Sequence, residues 1–342
     1  MIRPKKEDLE FQPIDIHKLI NPITPSSCHP ISTGQYIIPT SEITKMFQKV
    51  KSMIEDRSPG GIIYGRPRIG KTRALKYLLN VLPSLLGADI PIFSAVCNRH
   101  TKPNEDVFFK ELLTDFNHAF ASNGKATEKR ERIVNLFIER GERSGQRRVV
   151  LFLDEADRLS SLHYDWLMDI YNRVDNAEIS MTVISVGQLA LQQLRSSFAF
   201  QQKAQIIGRF MVNEHQYRGM TSANEIKACL HGYDTAEFPD NSKCSYTKFF
   251  YPEAFERGER FSGFCNDLYN AFLNLRLENG LSKKFDIPMQ YIANAIENIM
   301  KHHGALGEGV YWPTVSHWNI AVKKSGYLES EILMDLLGTK IT

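Results

Sequence analysis

The stretch from Gly65 to Thr72 reads G-R-P-R-I-G-K-T and decides the fold class of this chain. It matches the pattern G-x-x-x-x-G-K-[ST] at every position. An apolar run, GIIYG at 61–65, precedes it, and a helical pattern from Lys71 to about Leu86 follows it. Glycines let such a loop turn its amide N–H groups inward, where these groups and the helix N-terminus bind phosphate. The stretch therefore predicts a phosphate-binding loop between a buried strand and a helix.

Each position of this loop has an expected role. Gly65 and Gly70 should adopt backbone angles that residues with a Cβ resist. Lys71 is expected to reach the β- and γ-phosphates of a nucleoside triphosphate, and the Thr72 hydroxyl to bind Mg²⁺. The residues expected to contact the nucleotide along this stretch are Gly65, Arg66, Pro67, Arg68, Ile69, Gly70, Lys71, Thr72 and Arg73. The pattern predicts ATP and Mg²⁺ as cofactors, and the flanking strand and helix argue against a chance match.

A second motif lies further along the chain. The run V-V-L-F-L-D-E, from Val149 to Glu155, is apolar and ends in two acidic residues. A buried strand of this kind delivers Asp154 to the carboxyl edge of a parallel sheet, where ligands bind. We expect Asp154 to hold the metal through water, and Glu155 to orient and deprotonate the attacking water. The alternative is a core strand followed by two solvated acids, but this motif and the phosphate loop each predict the other.

Weaker catalytic candidates accompany the fourth and fifth predicted strands. The fourth ends in S-V-G-Q, where Ser185 or Gln188 could touch the γ-phosphate or the attacking water; a plain strand-end turn is the alternative. The fifth is predicted over 208–214. Arg209, at its start, could project into the nucleotide site of a neighbouring subunit and stabilise transition-state charge. A surface arginine in an ion pair is the alternative, and Arg218 is a less favoured substitute.

The order of apolar and amphipathic stretches predicts an α/β fold. The expected strands are mostly apolar throughout rather than alternating, which suits a parallel sheet covered by helices on both faces. They lie at 61–65, 90–96, 148–155, 181–187 and 208–214. Beyond about residue 220 helical patterns dominate.

The chain is accordingly expected to divide into three regions. Prolines punctuate residues 1–40 too often for a long helix, so an irregular N-terminal arm is expected there. A helix should begin at Ser41 with Thr40 or Ser41 as its cap. The α/β core is expected to span 41–220, and a helical lid and C-terminal region 221–342.

Composition places the chain among ordinary globular proteins. It has 342 residues, of which 42% are hydrophobic and 24% charged, with a formal net charge of +3. That charge neither requires nor excludes a nucleic-acid partner. The five cysteines form no CxxC pair, which argues against a zinc site or a disulfide framework. The chain shows neither a signal-peptide pattern at its start nor a membrane-spanning apolar run. A cytoplasmic protein with no membrane partner is therefore expected.

The motifs, in this order, resemble those of the AAA+ ATPases. The shared elements are GRPRIGKT and VVLFLDEAD (the Walker A and Walker B motifs), then ISVGQ, IIGRF and a helical lid. The general resemblance covers about residues 35 to 280 and implies a P-loop NTPase fold with a five-stranded parallel sheet and a C-terminal helical lid. The proline-rich entry and the strand ending VGQ look most like the TnsC/TniB/MuB group, which are ATP-dependent DNA-binding regulators of transposition, including those of CRISPR-associated transposons.

The resemblance implies an activity and partners. Protomers would assemble on duplex DNA, without sequence preference, as rings or helical filaments when ATP is bound, and hydrolysis would permit disassembly. The oligomer would link a target-selector protein to the transposase. Nucleotide would lie between subunits, with Arg209 as the finger. The family's lid arginine has no match, because Phe264-Cys265-Asn266 follows Gly263 where that arginine is usual.

One loop is the best candidate for DNA contact. Residues 97–104, after the second predicted strand, read C-N-R-H-T-K-P-N and combine fixed cations with short hydrogen-bonding side chains, a composition suited to phosphates. In similar proteins this region faces the central channel, so Arg99, Thr101 and Lys102 are the expected contacts. An ordinary polar loop is the alternative. Residues 124–148, with eight Lys/Arg against four Glu, are a weaker candidate, for which a solvated helix face is the alternative.

Other functions share the same core. A helicase-loader-like or other AAA+ switch acting on protein partners is one alternative. A structural adaptor filament that uses hydrolysis only as a timer is another. Replacing Glu155 with Gln separates them, since a loader needs turnover whereas an adaptor would form hyperstable filaments on DNA.

Overall fold

The computed structural model describes residues 28–86 and 89–336. The sequence interpretation of residues 1–27 as an irregular arm lies outside the described residues. The described part of that arm, residues 28–40, is called the N-terminal segment below. It contains a single helical turn, α1 (Pro30–Thr33), and Gly34 closes the turn in a left-handed conformation.

Within the described ranges, five parallel strands form one sheet in the order β2-β3-β4-β1-β5. The strands are β1 (Gly60–Tyr64), β2 (Ile92–Val96), β3 (Arg148–Asp154), β4 (Ser180–Gly187) and β5 (Asn213–Gln216). The inner strands β1, β3 and β4 are buried almost throughout, as expected for a parallel sheet with two covered faces. The predicted α/β fold with a five-stranded parallel sheet is confirmed.

Helices cover both faces of the sheet. They are α2 (Ser41–Glu55), α3 (Lys71–Leu86), α4 (Glu105–Asp115), α5 (Ala126–Arg143), α6 (Ser161–Asn176), α7 (Leu189–Phe200) and α8 (Ala204–Phe210). Successive strand residues point to opposite faces. Ile63 and Phe152 therefore join one hydrophobic cluster, with α2 and α3, whereas Ile62 and Leu153 join the other. The expected cap of α2 is confirmed, because the Thr40 hydroxyl accepts the Ile43 N–H.

The fifth strand was misplaced by the sequence pattern. The stretch 208–214 was expected to be extended, but its first residues complete α8, and β5 begins only at Asn213. Ile206 and Phe210, one helical turn apart, are both buried in the core, which favours a helix through Arg209. The strand itself reads N-E-H-Q and pairs only with β1, so an edge position lets it lack the apolar run that marked the inner strands.

The end of one helix also differs from the sequence prediction. The helix expected over 105–121 ends at Asp115. Asn117 has a φ of 55°, a left-handed conformation that a helix cannot continue through and that asparagine tolerates better than most residues.

The C-terminal region is helical, as predicted. Its helices are α9 (Ala223–Thr235), α10 (Tyr246–Phe250), α11 (Pro252–Glu256), α12 (Cys265–Glu278), α13 (Met289–Asn298), α14 (Val315–Lys324) and α15 (Tyr327–Leu336). Their core is aromatic and includes Phe272, Trp318 and Tyr327. Ile31 and Ile38 belong to the same cluster, so the N-terminal segment packs against these helices.

His29 anchors this packing. Its ring is fully buried, and its Nδ1 accepts the N–H of Ile31 at 3.1 Å. Aromatic rings surround it with centroids 4.4 to 5.1 Å away, those of Phe238, Tyr246, Phe249 and Phe250. Burial lowers the pKa of His29 to about 4, so the ring is neutral near pH 7.

Among residues 28–86 and 89–336, no helix combines the length and the apolar character that crossing a bilayer requires.

Candidate nucleotide-binding site

A cavity of about 440 Å³ lies beside the phosphate loop. Its walls come from the loop and the start of α3, from the N-terminal segment, from the turns after β3 and β4, and from α13. The lining residues are Tyr36, Ile37, Ile38, Thr40, Ile43, Pro67, Arg68, Gly70, Lys71, Thr72, Arg73, Glu155, Gln188, Tyr217, Met289, Gln290, Ala293, Asn294 and Glu297. The volume falls in the range of small-molecule sites.

The glycines of the loop serve different purposes. Gly70 has a φ of 109°, which residues with a Cβ rarely adopt, as expected. Gly65 is not in that region. A Cβ placed on Gly65 would lie 2.3 Å from the Tyr217 carbonyl oxygen, so close packing excludes side chains there. The expectation of unusual backbone angles at Gly65 is therefore wrong, and a left-handed φ of 61° falls instead on Arg68.

Lys71 sits at the N-terminus of α3, with its ammonium group folded over the loop. Its Nζ donates to the carbonyl oxygens of Gly65 (2.9 Å) and Arg66 (2.8 Å). Burial lowers the pKa of Lys71, although Glu155 and Asp154 act in the opposite direction. The loop thus carries a partly buried cation whose present partners are neutral carbonyls.

The two acidic residues at the end of β3 lie in different surroundings. Asp154 is buried, and its Oδ1 accepts the backbone N–H of Glu155 at 2.9 Å. Glu155 has left-handed angles (φ 55°, ψ 33°), and this turn brings it to the cavity wall. Its Oε2 lies 3.3 Å from a guanidinium nitrogen of Arg158.

Of the two catalytic candidates at the end of β4, only one lies at the cavity. Ser185 is fully buried between its neighbours Leu153 and Ile62, and the structure does not bring it to the cavity. The strand continues two residues further, to Gly187, and only then does Gln188 reach the cavity. The backbone N–H of Gln188 donates to the Asp157 carboxylate at 2.8 Å, which fixes the turn.

Two predicted loop contacts point elsewhere. The Ile69 side chain is buried in the core beneath α2 and α3. Arg66 turns its side chain away from the cavity and pairs with Asp286 at 2.6 Å and with Glu331. Pro67, Arg68 and the other lining residues of the loop remain at the cavity.

The N-terminal segment is a wall that sequence reasoning missed. Arg73 lines the cavity and donates to the carbonyls of Gly34 (3.1 Å) and Tyr36 (3.2 Å), which ties the segment to α3. The apolar stretch Y-I-I at 36–38, in an otherwise polar and proline-rich region, was the available signal.

The lid helix at the cavity was not identified from the sequence. The segment around Gly263, where the family's lid arginine has no match, leads into α12 and does not line the cavity. The lining helix is α13, which presents Met289, Gln290, Asn294 and Glu297. Within the described residues, the cavity-lining part of α13 includes no arginine.

The remaining candidates lie away from the cavity. Arg209, on the last turn of α8, stacks over the Tyr171 ring of its own chain at 4.6 Å. Arg99, Thr101 and Lys102 are exposed on the loop between β2 and α4. That loop is linked to the cavity, because Arg158 donates to the carbonyl of Cys97 at 3.1 Å while it pairs with Glu155.

One family model matches the part of the chain that carries these motifs. Residues 55–194 match the family model described as the AAA domain. The chain contains an AAA-type P-loop domain. The match spans β1, the phosphate loop, β3 with its acidic pair, and β4. A comparison with curated proteins finds no match.

Two structures of one solved protein share the fold over most of the chain. The ORC2 protein of Aeropyrum pernix in its ADPNP–ADP complexes matches with a TM-score of 0.57 and 13% identity, over 87% of this chain and 71% of that one. Its ADP form matches with a TM-score of 0.52 and 14% identity, over 86% and 71%. Cdc6p of Pyrobaculum aerophilum gives a TM-score of 0.43 and 13% identity, over 89% and 84%. The likeness shows an AAA+ fold, and the narrower resemblance to transposition regulators stays a proposal.

Proposed function

We propose that the protein binds ATP with Mg²⁺ in this cavity and hydrolyses it. The observation that carries the proposal is the composition of the cavity lining, in which Lys71, Thr72, Glu155 and Gln188 meet apolar side chains. The apolar lining residues are Ile37, Ile38, Ile43, Tyr217, Met289 and Ala293. A triphosphate with a planar base offers both a charged and an apolar surface to such a lining.

The residues present fit the phosphate and the metal. Lys71 is already aimed at the inside of the loop, where phosphate oxygens would replace the carbonyls that now accept its hydrogen bonds. The Thr72 hydroxyl and the Asp154 carboxylate are the oxygen donors that Mg²⁺ prefers. The ion would neutralise charge that develops on the phosphates. Glu155 is the base for the attacking water, and Gln188 orients it.

The base would lie against the N-terminal segment and α13. Arg73 fixes the backbone of that segment, and Tyr36 donates from its hydroxyl to Glu297 of α13 at 2.9 Å. The two walls are therefore joined to each other as well as to α3. Such preorganisation lowers the entropic cost of binding.

The direct test measures ATP binding and phosphate release. Lys71→Ala removes the cation and should abolish ATP binding. Glu155→Gln should bind ATP but slow hydrolysis by about 10²- to 10⁴-fold, the usual contribution of a general base. Arg143→Ala, which removes only the exposed pair with Glu139, is the matched control and should behave as the unmodified protein. Normal ATP binding by Lys71→Ala would overturn the proposal.

We further propose that ATP occupancy controls assembly of this protein on duplex DNA, in the manner of a transposition regulator. Arg99, Thr101 and Lys102 supply backbone contacts from one exposed loop. Arg158 bridges that loop to Glu155, which supports coupling between DNA contact and hydrolysis. Arg209 completes the nucleotide site of a neighbouring copy. Target-selector and transposase proteins are the partners that the motif resemblance implies.

Binding to random duplex DNA with ATP or ADP tests the second proposal. We expect tight binding and filaments with ATP, weak binding with ADP, and hyperstable filaments for Glu155→Gln. Electron microscopy of the same samples reports assembly. Equal DNA binding with either nucleotide would remove the gating role. ATP turnover without any DNA binding would instead favour a loader-like switch acting on proteins.

A further inference from the structure

A buried ion cluster connects the phosphate loop to the C-terminal helices. It consists of Arg66 from the loop, Asp286 just before α13, Glu331 from α15 and Arg276 from α12. Arg66 contacts Asp286 at 2.6 Å and also Glu331, whose other carboxylate oxygen contacts Arg276. Each of these residues is at most 8% exposed. Their formal charges cancel, which is the condition under which charges are tolerated in a protein interior.

The cluster is also bonded to the surrounding backbone. The second carboxylate oxygen of Asp286 accepts the N–H of Gly219, in the link between β5 and α9, at 2.9 Å. Arg276 donates to the carbonyl of Ser282 at 2.9 Å and to the Tyr327 hydroxyl at 3.0 Å. Its members therefore have defined positions, and the cluster holds α12, α15 and the start of α13 against the loop.

The charges within the cluster depend on one another. Burial alone would lower the pKa of Arg66, but Glu331 and Asp286 raise it above the ordinary arginine value. Neutralising one member leaves its partner charged and desolvated, so the remaining groups must move or admit water. The position of Arg66 is thus set by residues far away in the sequence.

The same residue also contacts the phosphate-binding lysine. The Arg66 side chain enters the cluster, while its backbone carbonyl accepts a hydrogen bond from Lys71 at 2.8 Å. When Lys71 moves to a phosphate, the loop loses this internal brace. The anchored side chain of Arg66 then maintains the shape of the loop.

We propose that Arg66 is a positioning residue, and that its buried ion cluster makes nucleotide affinity depend on the docking of α15 and α12 against the phosphate loop. The proposal rests on the proposed binding of ATP in the cavity. It explains why the second position of the loop carries an arginine directed away from the ligand. It also makes the C-terminal helix α15 a site from which nucleotide affinity is controlled.

Glu331→Gln tests this coupling, because Glu331 does not line the cavity but is the partner shared by both arginines. ATP affinity is measured by fluorescence with a labelled analogue, after circular dichroism has confirmed folding. We expect the affinity to fall about tenfold, a typical allosteric coupling. Arg66→Lys keeps the charge, but lysine cannot bridge two carboxylates as a guanidinium does. The ATP affinity of this variant should therefore fall by a similar factor.

Glu131→Gln is the matched control. It removes the carboxylate partner of an arginine, Arg173, in a partly exposed pair between α5 and α6. Its ATP affinity should be unchanged. Unchanged affinity in a folded Glu331→Gln variant would overturn the inference. Failure of the unmodified protein to bind ATP would overturn the proposed function instead.

A second measurement serves if the cluster variants do not fold. Hydrogen exchange of the unmodified protein is followed with and without ATP. The coupling predicts slower exchange of amides in residues 327–336 when ATP is bound, although none of them lines the cavity. Exchange there that does not respond to ATP, together with slower exchange in the loop, would refute the coupling while leaving ATP binding intact.

Discussion

At the scale of single residues, Glu155 combines an unusual backbone conformation with a charged partner. Its left-handed backbone is unusual for a residue with a side chain, and the conformation turns the carboxylate from the end of β3 to the cavity. There it is held by Arg158, 3.3 Å away, and both side chains remain partly exposed. The ion pair holds the carboxylate against Arg158, and this contact must be given up before the carboxylate can take up the attacking water, so the pair restrains the proposed hydrolysis.

Arg158→Ala should therefore raise the basal rate of ATP turnover. Partly exposed ion pairs contribute about 0–1 kcal/mol, so the gain should not exceed about fivefold. Steady-state phosphate release without DNA is the measurement. Because Arg158 also holds the Cys97 carbonyl, the variant should lose any stimulation by duplex DNA. A fall in basal turnover would show that Arg158 assists the reaction rather than restraining Glu155.

At the scale of elements, the N-terminal segment joins parts of the molecule that are distant in sequence. His29 packs among aromatic rings of the C-terminal region, and Arg73 of α3 holds the backbone a few residues later. Both contacts hold the segment in the position where it lines the cavity. Its docking therefore has a pH dependence set by His29, whose ring faces Phe238, Phe249 and Phe250 and the phenol of Tyr246.

Acid should loosen this segment. The pKa of His29 is about 4 in the folded protein against 6.5 for an exposed ring, so the unfolded chain binds the proton more readily. The neutral form of His29 contributes to the free energy of unfolding. This contribution is complete above pH 6.5 and declines as pH falls towards 4, by at most about 3 kcal/mol. Thermal unfolding of His29→Phe should show a smaller loss of melting temperature between pH 7 and 4.5 than the unmodified protein.

The variant should start from a lower melting temperature at pH 7, because phenylalanine cannot accept the Ile31 N–H. His231→Gln, at an exposed position on α9, is the control and should follow the unmodified protein. A parallel acid response in His29→Phe and the unmodified protein would remove His29 as the source.

The elements also show what could be predicted from the sequence. The phosphate loop and each inner strand are formed by one continuous stretch of sequence. Burial imposes an apolar run on each of these strands, so local sequence patterns predicted them. The edge strand β5 carries no such run. The walls formed by α13 and the N-terminal segment depend on contacts such as that of Arg73 with Tyr36, and the anchor of Arg66 lies 265 residues away. Nothing in the local sequence marks these partners.

At the scale of the whole molecule, the exposed basic loop and the cavity lie at the ends of neighbouring strands. β2 leads to Arg99 and Lys102, while β3, its partner in the sheet, leads to Asp154 and Glu155. Duplex DNA held by the loop would therefore lie near the proposed catalytic base. Contacts to DNA phosphates release counterions, so their number can be read from the salt dependence of binding.

Replacing both Arg99 and Lys102 with Ser should weaken DNA binding for every sequence. The slope of log affinity against log salt should decrease by about 2 for each protomer bound. The matched control replaces Lys125 and Arg140, two exposed cations of the basic stretch at 124–148, with Ser. The control should keep the slope. A reduced slope in the control and an unchanged one in the loop variant would assign DNA contact to the stretch at 124–148.

The close contact of Gly65 with the Tyr217 carbonyl has a consequence for how this chain can vary. Alanine at 65 would force the end of β1 away from the linker that leads to the C-terminal helices. The requirement is one of space and not of phosphate chemistry. A descendant of this chain that had lost every affinity for nucleotides would still need the first glycine of the motif for its lack of a side chain, and Gly70 for its positive φ.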